Sequence, residues 1–216
     1  MNMSALNQCI LFRDLSEQDL TYAFSFFHAR QRHFQRGEVF HRAGEPVRHF
    51  GLLLSGSVHV FMDDFEGNRL LMASVVPGNT FAESLCFLGG ESQVTIECMA
   101  DSEILVMDTL SLTKPPKEVT PDDTALAQRF IAMLARRTLT LNNRIQILSK
   151  LTIREKVITL LSEYASSGEK GDIVLPFNRE SMATYLGVNQ SALSRELSRM
   201  KADGIITYKR SHFRIL

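Results

Sequence analysis

An α+β fold in three successive parts is what this chain of 216 residues predicts, and three observations carry the expectation. Before Pro115-Pro116, short apolar runs alternate with turn residues. From Asp122 to Leu148 neither proline nor glycine interrupts the chain. After Asn178, two amphipathic segments separated by Gly187 are followed by a pair of short β-type runs. Strands gathered first and helices gathered later argue against a βαβ alternation and for separate units in series. The expected boundaries are 1–120, 121–149 and 150–216.

The first part opens with a helix over Ser16 to His28. Ser16 can cap it, with Asp19 three residues on, and Leu20, Ala23, Phe24 and Phe27 share its buried side. Strands are then expected at Val39-Phe40, Phe50–Leu54, Val58–Met62, Leu70–Val76, Val94–Met99 and Ile104–Met107. Ser55-Gly56, Glu66-Gly67-Asn68, Pro77-Gly78 and Gly89-Gly90 are the turns between them. Short strands at regular intervals with glycine turns predict an antiparallel sandwich or barrel.

The second part is one long helix. Ile131, Thr138 and Ile145 recur every seven residues, as do Leu134, Leu141 and Leu148, which makes them the a and d positions of a two-helix seam. A second stripe of Leu126, Phe130, Met133 and Leu139 is expected to cover the β part of the same subunit. Thr152-Ile153-Arg154-Glu155 is a capping box that opens the next helix, so Ser149 to Leu151 is the expected hinge.

The third part carries the sharpest signal. Asn178 can cap a first helix whose buried face is Met182, Ala183 and Leu186; Gly187 ends it; Asn189 caps a second. On that second helix Leu193, Leu197 and Met200 share one side, while Gln190, Ser191, Ser194, Arg195 and Ser198 share the other. A docked apolar face with donors and acceptors left outside is what a recognition helix needs in the major groove. Beyond Asp203-Gly204, Ile205–Tyr208 and His212–Leu216 form a wing around the basic tip Lys209-Arg210-Ser211, placed to follow a phosphate backbone. Arg195 is expected to read a base, while Arg179, Arg199 and Lys209 hold phosphates. A helix-turn-helix on palindromic DNA requires two copies, and a paired long helix supplies the two-fold axis, so a homodimer on an inverted repeat is expected.

Charge agrees. The overall balance is zero, but 1–120 holds nine Lys/Arg against fifteen Asp/Glu, whereas 178–216 holds seven against three. An acidic front and a basic tail fit a nucleic-acid module joined to something else. With 44% hydrophobic residues the chain can build real cores. No run approaches the roughly 18 apolar residues of a membrane span, and no signal pattern opens the chain, so a soluble cytoplasmic protein without membrane contact is expected. Three widely spaced cysteines, Cys9, Cys86 and Cys98, argue against a disulfide framework.

The order of these parts resembles the Crp/Fnr family of bacterial transcription regulators over nearly the whole chain. The most specific pieces are Gly78-Asn-Thr-Phe-Ala-Glu83, similar to the family's phosphate-cassette opening, Ala135-Arg-Arg137 on the long helix, and Leu186 to Arg195 in the recognition unit. The resemblance implies a double-stranded β-helix (jelly roll) of the cyclic-nucleotide-binding type, a dimerisation helix, a winged helix-turn-helix and RNA polymerase as a further partner. Ser194 and Arg195 match the pair that Fnr-like members use on bases, whereas Gln190 and Ser191 depart from the family pattern. The implied effector pocket comprises Glu83, Ser84, Gln93, Val94, Arg137 and Leu141. Where cyclic-nucleotide receptors place an Arg-Ser pair on the cyclic phosphate, this chain has Gln93 and Val94, so the anion would lose its charge-assisted partner. A small effector other than cyclic AMP is therefore expected.

Alternatives stay open. His28, His33, His41, His49 and His59 lie in the sensor half, which leaves a haem-based gas or redox regulator as the alternative to a cofactor-free protein; for an iron–sulfur cluster only Cys9 lies near the N-terminus. A cupin-like enzyme with a DNA-binding tail is the other class. No His-x-His, G-x-S-x-G or P-loop supports it, and neither catalytic nor metal-ligating residues are assigned.

Overall fold

The computed structural model describes residues 2–63, 66, 69–165, 173–175 and 177–216. The chain divides into two compact units, Met1–Ala135 and Arg136–Leu216.

In the first unit, α1 (Met3–Gln8) and α2 (Glu17–Phe26) precede the strands β1 (Arg30–Phe34), β2 (Val39–His41), β3 (Phe50–Ser55), β4 (Val58–Asp63), β5 (Arg69–Val75), β6 (Thr80–Phe81), β7 (Thr95–Cys98) and β8 (Ser102–Met107). Helix α3 (Glu83–Leu88) sits between β6 and β7, and α4 (Leu110–Thr113) follows β8. The strands form two antiparallel four-stranded sheets, β1-β8-β3-β6 and β2-β7-β4-β5. The expected turn at Glu66-Gly67-Asn68 falls partly on Gly67 and Asn68, which lie outside the described residues.

The two central strands of the first sheet are buried on both sides. Phe50, Leu52, Leu54, Leu105 and Met107 point to a core shared with α1, α2 and the long helix, while Leu53, Ile104 and Val106 face Val58, Val75, Ile96 and Cys98 of the second sheet. That double burial is why Phe50–Leu54 of β3 is apolar throughout rather than alternating. Gly51 makes room on the inner side: a Cβ there would stand 2.3 Å from the Phe81 ring. Strand β1 escapes the sequence reading because four of its five residues are exposed and only Phe34 is buried. Register with β8 alone defines it, from Arg30 opposite Val106 to Phe34 opposite Ser102.

The Ser16 capping box is present, with Asp19 N–H donating to Ser16 Oγ at 3.2 Å and Ser16 N–H to Asp19 Oδ2 at 3.4 Å. Phe26, not Phe24, takes the buried place beside Leu20, Ala23 and Phe27; Phe24 is half-buried at the edge of the cluster.

The long helix, α5, runs over Pro121–Leu148. Asp123 starts it by accepting from Thr120 N–H at 2.8 Å and from the Tyr22 hydroxyl at 2.8 Å. Leu126, Phe130 and Met133 are buried in the first unit, and Arg129 donates to the carbonyls of Ile10 (3.1 Å) and Arg13 (2.9 Å). Leu139 does not continue this stripe and is 62% exposed. At about 100° per residue it points about 220° away from Leu126, so it lies on the far side of the helix.

The second unit holds the rest of α5, then α6 (Ile153–Ala165), β9 (Ile173–Val174), α7 (Arg179–Leu186), α8 (Gln190–Ala202), β10 (Ile206–Lys209) and β11 (His212–Ile215). Its sheet has the order β10-β11-β9. Ile147 of α5 is fully buried in this core with Leu160, Leu186, Leu193 and Leu197. Asn143 Nδ2 donates to Glu163 Oε1 at 2.7 Å, and the Arg144 guanidinium lies 5.6 Å from the Tyr185 ring centre. Ser149 to Leu151, expected as a hinge, is therefore a turn inside this unit, because the helices on its two sides are held to each other. The Thr152 capping box that opens α6 is present, Thr152 N–H to Glu155 Oε2 at 3.0 Å and Glu155 N–H to Thr152 Oγ1 at 3.1 Å.

Candidate nucleic-acid interface

Helix α7 begins where Asn178 Oδ1 accepts the Ser181 N–H at 2.8 Å, and it ends at Gly187 with φ of +64°. Only a residue without Cβ adopts that φ at no cost, and the Val188 N–H then bonds back to the Ala183 carbonyl at 3.0 Å. Asn189 opens α8 by accepting from Ser191 N–H (2.9 Å) and Ala192 N–H (3.3 Å). The caps fix both ends of the turn, so the angle between the helices follows from local chemistry plus the close packing of buried Ala183.

On α8, Leu193, Leu197 and Met200 are fully buried. Gln190, Ser191, Arg195, Ser198 and Arg199 are exposed and Ser194 is half-buried, so the face expected to meet bases is the free face. Arg195 has no ion-pair partner among the described residues, and Arg199, 75% exposed, lies 4.0 Å from Glu196. Both arginines border a surface hollow of about 610 Å3 with Thr152, Ile153, Arg154, Ala192 and Glu196.

Arg154 is a residue that the sequence reading did not single out. Its Nε donates to Glu196 Oε1 and its Nη2 to Asp203 Oδ2, each at 2.7 Å, which ties the start of α6 to the middle and end of α8. Glu196 and then Asp203 raise the arginine above its ordinary pKa. Lys156 Nζ adds a bond to the Leu186 carbonyl at 3.1 Å, at the end of α7. The one signal in the sequence was the capping box, which placed Arg154 on the first turn of α6.

The wing pairs Ile206–Lys209 with His212–Ile215. Its tip presents exposed Lys209 and Arg210, the latter held at φ of +58°, a conformation that glycine or asparagine fills more readily. Arg179 is placed differently from the other cations. It is half-buried, with its guanidinium 5.2 Å from the Tyr208 ring centre and 5.8 Å from that of Phe213.

The residues expected to hold an effector do not all lie in one unit. Glu83 is buried in the first turn of α3, behind Ala82 at φ of +65°; Ser84 and Gln93 are exposed; Val94 is half-buried, and its N–H and carbonyl both bond the hydroxyl of buried Ser92. Arg137 and Leu141 are exposed on the part of α5 that belongs to the second unit. Of the expected seam, Ile131, Leu141, Ile145 and Leu148 are 64, 53, 63 and 41% exposed; Thr138 is exposed and Leu134 half-buried.

Among the sensor-half histidines, His28 Nδ1 lies 2.9 Å from Asp108, His41 Nε2 donates to the His49 carbonyl at 2.8 Å, and His33 lies 3.6 Å from Glu103. Burial lowers the His41 pKa. The three cysteines are free and buried; burial pushes the thiols of Cys9 and Cys98 up to about 11 and raises Cys86. No group of three or more His, Cys, Asp or Glu placed to hold a metal occurs among the described residues, and no helix there is long and apolar enough to cross a membrane.

Known proteins share this arrangement. A cyclic nucleotide-binding domain model matches residues 31–114, and a Crp-like helix-turn-helix domain model matches 155–216. The cyclic AMP receptor protein of Thermus thermophilus is 24% identical over 199 residues, covering 91% of this chain and 87% of that protein. The transcriptional activator protein FnrL of Cereibacter sphaeroides is 24% identical over 186 residues, covering 81% and 71%. Among solved structures, FixK2 from Bradyrhizobium japonicum shares the fold at a TM-score of 0.52 and 24% identity, over 87% of this chain and 92% of that one. With both domain models matched in the order that the geometry displays, the chain belongs to the Crp/Fnr family of DNA-binding transcription regulators.

Proposed function

We propose that this regulator works as a homodimer paired along α5, that it reads an inverted-repeat DNA site with Gln190, Ser191, Ser194 and Arg195 of each α8, and that a small effector other than cyclic AMP controls it. The observation that carries the dimer is the exposed apolar row Ile131, Leu141, Ile145 and Leu148, at heptad spacing on one long helix. Apolar side chains at that spacing gain from a partner helix, and each of the four keeps at least 41% of its surface open in the single chain. Residues 1–120 then serve as the sensor, 121–149 as the pairing helix and 150–216 as the DNA-binding part, with RNA polymerase as a further partner and no catalytic role.

Leu141→Asp places a charge in the seam. Sedimentation is expected to show monomers, and a variant that still sediments as a dimer locates the interface elsewhere.

The effector reading rests on the cassette. Gln93 is exposed and uncharged, and Val94 offers only its backbone, already bonded to Ser92, where a cyclic phosphate needs a cation and a hydroxyl. The similarity to a cyclic AMP receptor protein speaks for the fold of this unit, not for its ligand. Calorimetry with cyclic AMP is expected to show no saturable binding at micromolar concentration; saturable binding that also strengthens DNA affinity refutes the reading.

A further inference from the structure

We propose that Arg179 and Lys201 act on DNA through the wing: seated on the ring of Tyr208, they set the position of the wing tip relative to α8 and do not themselves hold phosphates.

Three elements meet at this ring. Tyr208 on β10 stands opposite Phe213 on β11, and the two rings stack with centres 5.6 Å apart and planes 25° apart. Phe213 is 3% exposed and anchors the pair in the core of the unit. Arg179, the first residue of α7, lies 5.2 Å from the Tyr208 centre, and Lys201, in the last turn of α8, lies 5.6 Å from it. Both distances are within the reach of about 6 Å over which a ring face attracts a cation. Each helix of the reading unit thus sends one cation to one wing residue. Lys201 also suits its helix end, where the dipole is negative, but Arg179 sits at the positive end of α7, where a cation weakens the helix. Its place is explained by the ring pair, not by the helix that carries it. Arg179 is half-buried with an Nη1 contact of 3.7 Å to Met182 Sδ, whereas Lys201 is exposed, as are Lys209 and Arg210 at the tip.

The proposal rests on DNA binding by this unit, and the test separates the two. Binding of the full chain to a duplex that it selects from a random pool is measured over a salt series. Tyr208→Leu removes no charge. It is expected to lower the slope of log affinity against log salt by about one to two units, the share of Lys209 and Arg210 once the tip leaves the phosphates, while Tyr208→Phe keeps the parent slope. A parent slope in a folded Tyr208→Leu overturns the proposal. Should Tyr208→Leu fail to fold, a double-variant cycle decides: with Arg179→Met and Lys201→Met in place, Lys209→Met and Arg210→Met are expected to lower the slope no further, because the tip has already left the phosphates, whereas a full further loss of about one to two units overturns wing positioning. A parent that binds no duplex refutes the DNA reading itself instead.

Discussion

The helix ends of the second unit and the sheets of the first are set by contacts of different reach. In the second unit the reading element is set by bonds between near neighbours: Asn178 to Ser181, Asn189 to Ser191 and Ala192, Thr152 to Glu155. In the first, the sheets join residues far apart in sequence, Arg30 to Val106 and Phe50 to Met107. Their cores differ in the same sense. Among the described residues, the second unit has one apolar cluster around α6, α7 and α8, whereas the first has one between the sheets and another between a sheet and the helices. Near-neighbour chemistry decides where a helix starts and stops. Distant pairing makes a part whose shape depends on many positions at once.

The largest expected effect breaks the first unit and spares the second. Gly56 turns β3 into β4 at φ of +94°, and a Cβ there would stand 2.6 Å from the Asp101 carbonyl oxygen and 2.7 Å from Ser102 Cα. Backbone cannot step aside as a side chain can, so Gly56→Ala is expected to cost about 2–4 kcal/mol, the sum of overpacking and a disfavoured φ. Differential scanning calorimetry is expected to show the loss in one transition only. A uniform loss across the whole chain would show that the two units do not unfold separately.

A smaller effect is expected at the reading face, where stability should hardly move. Arg195→Ala removes an exposed side chain and is expected to lose about 1–3 kcal/mol of discrimination at one base pair per half-site. Selection from a random pool checks this: a variant that keeps the parent's preference and only binds more weakly shows that Arg195 does not read a base. The smallest effect belongs to Arg199→Ala, which is expected to weaken all sequences alike and to lower the salt slope by about one unit. A change of sequence preference in that variant would move the reading face around α8 toward Arg199.

What could be read in advance follows the same division. The caps at Ser16, Thr152, Asn178 and Asn189 were legible because each needs only a side-chain oxygen and an N–H within three residues. The long helix was legible from the absence of breakers, and its buried stripe up to Met133 from spacing; Leu139 was misplaced because its distance from Met133 does not fit the helical period. Strand β1 was missed because Arg30-Gln31-Arg32-His33 carries no apolar alternation, and β9 because two residues give no pattern. In the candidate site, the outward face of α8 was legible, but Arg154 and Tyr208 were not: one bonds 42 and 49 residues along the chain, and the other takes cations from two helices.

The order of the parts, the helix ends and the polar face of α8 follow from the amino-acid sequence, since those depend on residues a few positions apart and on a period that any solvent-facing helix must keep. The tertiary fold alone settled how the basic residues are placed. Arg179, Lys201, Arg195 and Arg199 all carry a positive charge, and which of them rests on a ring is set by the distant side chain that folds beneath it. It also decided that the turn after α5 lies within a unit, because Ile147 is buried and Asn143 bonds Glu163 only once the helices have met.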